Sequence, residues 1–135
     1  MMQKCPFASA LITGLALCRH AEQVVRRGGS EYDCRSAEDH AACVGLFDRL
    51  KAAALPAFGV EDDLGSMPHS VLVKVQCGGL RGLARLSGQE AEPIADIAAL
   101  RDQSLRGSGG LDGLPVADLV PDMTAFRTER RGRRR

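Results

Sequence analysis

Large aromatic side chains are scarce in this 135-residue chain, which has no tryptophan, one tyrosine and four phenylalanines. A core must then be assembled from Leu, Val and Ala, with Phe7, Phe47 and Phe58 as its large pieces. Because each aromatic ring buries a large area, such a core is thin, and a bound metal would add rigidity to it. Close cysteine pairs are missing as well. A zinc ribbon or finger draws two ligands from one tight turn, with two to four residues between them. No two cysteines here stand that near to one another.

Long apolar runs are also lacking. The stretch from Pro6 to Leu17 falls far short of the roughly 20 apolar residues that span a bilayer. With Lys4 before it and Cys18 after it, the stretch has the outline of a lipoprotein signal. Leu17 nevertheless stands where that signal needs a small residue, and Cys5 and Gly14 interrupt it. The chain is therefore read as cytoplasmic, with no membrane partner. Motifs for nucleotide binding, hydrolysis or group transfer are absent too. Gly78, Gly79 and Gly82 come without the lysine and full spacing of a phosphate-binding loop. His69 and Ser70, as neighbours in a strand, would point to opposite faces. The contiguous Glu61-Asp62-Asp63 cannot wrap a cation as alternating ligands do in a calcium loop. A carrier, sensor or structural protein fits better than an enzyme.

What is present is an ordinary globular composition, 44% apolar and 26% charged, at a length suited to one domain. The net charge of +1 hides an asymmetry. From Arg127 onward there are six arginines against Glu129, so this end carries +5 and the remainder −4. The reading is a single domain over 1–126 and a disordered arginine-rich tail over 127–135. The tail is a solvated arm with a possible acidic or nucleic-acid contact. The body has no basic stripe with interleaved aromatics to support a nucleic-acid interface.

The periodicity predicts a mainly α fold. Leu11, Leu15, Cys18, Ala21 and Val25 recur at spacings of three and four, which predicts an amphipathic helix from Ala8 to Arg27, stopped by Gly28 and Gly29. A second helix is predicted from Ala37 to Ala54, capped by Ser36, favoured by Glu38 and Asp39 in its first turn, and ended by Pro56. Its buried stripe is Cys43, Leu46, Phe47, Leu50 and Ala54. Together the two would form an N-terminal helical hairpin around a cysteine site. The second half is expected to hold one or two short strands. Val71 to Val75 is one, unless it belongs to a longer helix, and a partner for it would lie within Leu114 to Phe126. Short helices are expected over Leu80 to Leu86 and over Ile94 to Leu105, the latter with Pro93 in its first turn. The remainder to Phe126 should be irregular.

Four of the five cysteines, Cys5, Cys18, Cys34 and Cys43, fall in the first third of the chain, separated by 12, 15 and 8 residues. An iron–sulfur cluster is bulkier than a zinc ion, so four thiolates can reach its corners from separate elements without a close pair. In the predicted hairpin, Cys18 and Cys43 point inward from facing helices. Cys5 and Cys34 sit just before helix N-termini, where N–H groups and the dipole stabilise thiolates. These four are the candidate ligands, with a 4Fe-4S cluster as the cofactor, an electron-transfer or redox- or iron-sensing role, and an unidentified redox protein as partner. The alternatives are zinc in the same place, plain buried thiols, or disulfides in an exported chain. With zinc or no metal, the protein would be a structural or interaction module whose arginine tail contacts an acidic partner. Cys77 would need a long return of the chain to join the site and is read as a thiol outside it. His20, two residues past Cys18, should face elsewhere. His40, three before Cys43, lies nearer but is read as a surface or supporting residue.

Several stretches, Cys5-Pro6-Phe7-Ala8-Ser9-Ala10-Leu11, Arg26-Arg27-Gly28-Gly29-Ser30-Glu31-Tyr32, Pro68-His69-Ser70-Val71-Leu72-Val73-Lys74 and Val120-Pro121-Asp122-Met123-Thr124-Ala125-Phe126, are similar to a small family of uncharacterised bacterial four-cysteine proteins. The resemblance implies a bacterial origin and carries no activity with it.

Overall fold

A computed structural model describes residues 3–27, 29–59, 69–89 and 93–127. The acidic run Glu61-Asp62-Asp63 and the tail past Arg127 lie outside the described residues. The architecture is mainly helical, with one small antiparallel sheet close to the N-terminus. Among the described residues no helix is long and apolar enough to cross a membrane.

The chain enters through a two-residue strand, β1 (Gln3–Lys4), and a single helical turn and a half, α1 (Ala8–Ile12). The first arm of the expected helical hairpin goes no further. Gly14 adopts φ +82, a backbone state that carries no side-chain penalty only for glycine, and the chain leaves the helix there. Residues Ala21–Arg26 and Gly29–Cys34 form β2 and β3 instead. Val24 and Val25 suit a strand better than a helix. The register pairs Arg26 with Gly29, so a two-residue connection turns the chain, with Gly29 at φ +118. The hairpin in this region is thus a β-hairpin, and β1 pairs with the other side of β3 to give the order β1-β3-β2.

Helix α2 (Ala37–Ala54) keeps its predicted bounds. The Ser36 hydroxyl accepts a hydrogen bond from the Asp39 backbone N–H at 3.1 Å, satisfying one of the unpaired donors of the first turn. Cys43, Leu46, Leu50 and Ala54 form its buried face. Phe7 is fully buried and meets Phe47 edge-to-face, with ring centroids 5.9 Å apart. Phe126, not counted among the large core pieces from sequence, is buried as well and lies under the Arg81 guanidinium.

The expected strand over Val71 to Val75 is helical. α3 (His69–Val73) runs into a π-helical turn, Lys74–Gly78, and on into α4 (Gly79–Leu86). Among the described residues of the second half there is no strand, only a lone parallel bridge between Ala16 and Ile94. Val73 and Val75 are buried and Val71 packs against the core from these helical turns, so the apolar run that reads as a strand belongs to a helix. The three glycines that follow the run allow helices to touch. A Cβ on Gly78 would stand 2.5 Å from Met123 Cα, one on Gly79 2.7 Å from Leu50, and one on Gly82 2.7 Å from Leu119.

Helix α5 (Ile97–Ser108) begins three residues later than expected, behind an Asp96 cap. Ile94 is engaged elsewhere: its N–H donates to the Leu15 carbonyl at 2.8 Å, and its own carbonyl accepts from Leu17 N–H at 2.9 Å. The last stretch is more ordered than expected. It holds two 3-10 turns and α6 (Val120–Ala125), which packs on the π turn and α4.

Candidate metal centre

The short sheet carries three of the four candidate cysteines to one end. Cys34 closes β3, paired with Gln3 on one side and Ala21 on the other. Cys5 follows β1 directly, and its N–H donates to the Tyr32 carbonyl of β3 at 2.9 Å. Cys18 precedes β2, its carbonyl accepting from Ala21 N–H at 3.1 Å. Helix α2 leaves the same end of β3, and Cys43 lies in its second turn.

The four thiols come within electrostatic reach of one another. As thiolates, Cys43, Cys18 and Cys34 would each raise Cys5, Cys18 and Cys34 would raise Cys43, and Cys34 would raise Cys18. No disulfide joins any of the five cysteines of the chain. Among the described residues no three His, Cys, Asp or Glu side chains form a group that could hold one metal ion. The four cysteines thus share one end of the sheet without closing on a single point. Cys5 and Cys43 are buried, while Cys18 and Cys34 are half-buried, which gives the site an inner and an outer side. Cys77 is wholly buried in the π turn, on a different element.

Each sulfur has its own polar surroundings. The Phe7 N–H at the entrance to α1 donates to Cys5 Sγ at 3.4 Å, as the position before a helix led one to expect. The Cys18 sulfur receives backbone hydrogen bonds from His20 and Ala98, the latter in the first turn of α5. Cys18 therefore stands before β2 with its sulfur at the first turn of α5, and not on the inward stripe of a helix. Cys34 departs from its expected environment: its thiol donates to the Ser36 carbonyl at 3.3 Å. Arg101 Nη1 donates to Cys43 Sγ at 3.1 Å.

Burial pushes the Cys5 thiol up to about 12, with the neighbouring thiols adding to the shift and the Phe7 N–H opposing it. Burial raises Cys43 as well, against the Arg101 guanidinium, and Cys18, against its two backbone donors. In the metal-free protein these groups are neutral thiols at pH 7.

Arg101 and Asp39 were not legible as site residues, and both belong here. Arg101 is 3% exposed. Its Nε and Nη2 donate to Asp102 Oδ1 at 3.0 and 2.8 Å, and Nη2 also bonds Asp39 Oδ1. Burial alone would lower the pKa of the guanidinium, but the bonds to Asp39, Cys43 and Asp102 more than offset it. The Ser36 hydroxyl and the Arg101 guanidinium hold Asp39 below the usual carboxylate range. His20 Nε2 lies 3.2 Å from Asp39 Oδ2, on the outer side. His40 Nε2 lies 3.1 Å from the Lys4 carbonyl, beside Cys5 rather than on it. The sequence did hold one signal for Arg101: it stands four residues after Ile97 and three before Ser104, on the buried stripe of α5. A cation on such a stripe requires buried acceptors.

Compared with known proteins, the chain matches no family model, no curated protein and no solved structure.

Proposed function

We propose that Cys5, Cys18, Cys34 and Cys43 together ligate an iron–sulfur cluster of the 4Fe-4S type, and that the protein is a bacterial electron carrier or a sensor of redox state or iron. The observation that carries this reading is the convergence of four cysteines from four different segments on one end of the small sheet. Ordinary core cysteines have no reason to seek one another, since each is satisfied by any apolar neighbour. When bound, the cluster supplies a one-electron couple. The chain's own part is to hold, shield and expose. Cys5 and Cys43 anchor the inner side against Phe7 and α2. The backbone N–H groups of Phe7, His20 and Ala98 supply donors to sulfur, which stabilise negative charge there. Cys18 and Cys34 form the side nearest solvent, where a redox protein partner would make its approach. Four protein ligands leave no iron position open to a substrate, which favours a carrier or sensor over an enzyme.

A second reading has an observation of its own. Burial raises Cys5, Cys18 and Cys43, so the fold accepts them as neutral thiols. That favours a metal-free interaction protein, with a zinc-stabilised one as its variant only if the metal itself drives the thiols to ionise. Reconstitution of the reduced protein with ferrous iron and sulfide under anaerobic conditions separates the two. Broad visible absorbance with acid-labile sulfide supports the cluster. Colourless protein that takes up only stoichiometric zinc, or nothing, contradicts it.

A further inference from the structure

We propose that the cavity between the C-terminal ends of α4 and α5 binds a small, uncharged, mainly apolar molecule through a hydrogen bond to the Ser104 hydroxyl. The site shares no residue with the cysteine centre, and neither reading depends on the other.

A buried hydroxyl without a hydrogen-bond partner is destabilising, so folds rarely leave one. Ser104 is such a group. It stands on the buried face of α5 at 9% exposure, and its Oγ has no partner among the described residues. A serine inside a helix can turn its hydroxyl back to the carbonyl four residues earlier, which here belongs to Leu100. Ser104 makes no such bond. Its side chain instead lines a cavity of about 460 Å³, a size within the range of small-molecule sites.

The rest of the wall narrows the chemistry. Leu83 and Leu114 are buried and supply apolar surface, while Leu86, which lines the same cavity, is 45% exposed. The chain over 113–115 can return against α5 because Gly113 has no side chain: a Cβ there would run into the Ser108 carbonyl oxygen. Gly107 leaves the α5 side open, since a Cβ on it would meet nothing within 4 Å. Among the described residues no Asp, Glu, Lys, Arg or His lines the cavity. An ion entering it would lose hydration and gain no counter-charge. Leu86 and Ser108 are the last residues of α4 and α5, and the negative dipole ends of two helices disfavour an anion further. The occupant that fits is a neutral molecule with an apolar body and one hydroxyl or carbonyl group to exchange a hydrogen bond with Ser104.

The test is an amide NMR titration of the reduced full chain with 1-octanol, and with octanoate and octylammonium as its anionic and cationic counterparts. Octanol is expected to bind saturably and to shift amides of α4, α5 and residues 113–115, with both ions bound about tenfold more weakly or less. Ser104→Ala deletes only the unpartnered hydroxyl, so it should keep the fold and bind octanol roughly fivefold more weakly, the worth of one hydrogen bond. Gly107→Leu replaces glycine by a better helix former and places a side chain in open space, so it too should fold and bind octanol more weakly. Circular dichroism checks both variants, and if one fails to fold the other decides. The inference is overturned by octanol that does not bind the unmodified protein, by shifts centred elsewhere, by undiminished octanol binding in a folded variant, or by an ion bound as tightly as octanol. None of these results bears on the iron–sulfur reading, which stands or falls by metal content.

Discussion

Cys5 shows most directly how one side chain couples burial to chemistry. Its thiol is buried among Phe7, α1 and the end of β3, and burial raises its pKa from 9.0 to about 12. In the metal-free protein the sign of the pH effect follows. Below pH 9.0 the thiol is protonated both folded and unfolded, and its contribution to stability is fully present. Above that, the unfolded chain releases the proton while the folded one keeps it, so stability is lost as pH rises toward 12. The difference is on the order of 4 kcal/mol for Cys5. Urea unfolding of the metal-free protein should show a midpoint that drops through this window, and Cys5→Ser should drop less. Parallel curves for the two proteins would contradict the buried-thiol assignment. The same residue scale shows what the sequence conceals. Cys5, Cys18, Cys34 and Cys43 were legible as a set because they cluster in the first third of the chain. Arg101 was not, because its meaning depends on which helix its stripe faces, and that is a tertiary fact.

Among the elements, α2 was legible to the residue. Ser36 caps it, Glu38 and Asp39 suit its first turn, and its apolar stripe keeps one period. All local signals there agree. In the preceding segment they conflict. Leu11, Leu15, Cys18, Ala21 and Val25 have helical spacing, but Gly14 interrupts it and Val24-Val25 followed by Gly28-Gly29 is equally a strand and its turn. The conflict was settled by the pairing of β2 with β3, next to it in the chain, and by the bridge of Ala16 to Ile94, remote in sequence. The π turn misled in the opposite direction, since the β-branched run Val71 to Val75 that leads into it reads as a strand. Its glycines offer a direct check on how the second half packs. A Cβ on Gly78 would stand 2.5 Å from Met123 Cα and 2.6 Å from the Asp122 carbonyl oxygen, both backbone atoms that cannot rotate away. Gly78→Ala should therefore destabilise the protein by roughly 1–3 kcal/mol, read as a lower urea midpoint. At an ordinary helix position the same change would stabilise. A midpoint that rises would show that α6 does not press on the π turn.

For the whole molecule, the small sheet and α2 serve one end. β3 aligns Cys34 with the segments bearing Cys5 and Cys18, and α2 leaves that end with Cys43 in its second turn. The rest of the chain, α3 to α6, builds the aliphatic core behind it. Removal of any one of Cys5, Cys18, Cys34 or Cys43 as serine should abolish full iron loading, whereas Cys77→Ala should retain it. Iron retained after loss of Cys18 or Cys34 would show that the outer side of the site is not part of the ligand set. The central claim is that the four converging cysteines hold a cluster, and one measurement reaches it without reconstitution: iron and acid-labile sulfide per chain in anaerobically purified protein, taken with the visible spectrum. About four irons, matching sulfide and broad visible absorbance are the expected result. Colourless protein with stoichiometric zinc, or without metal, would contradict the account.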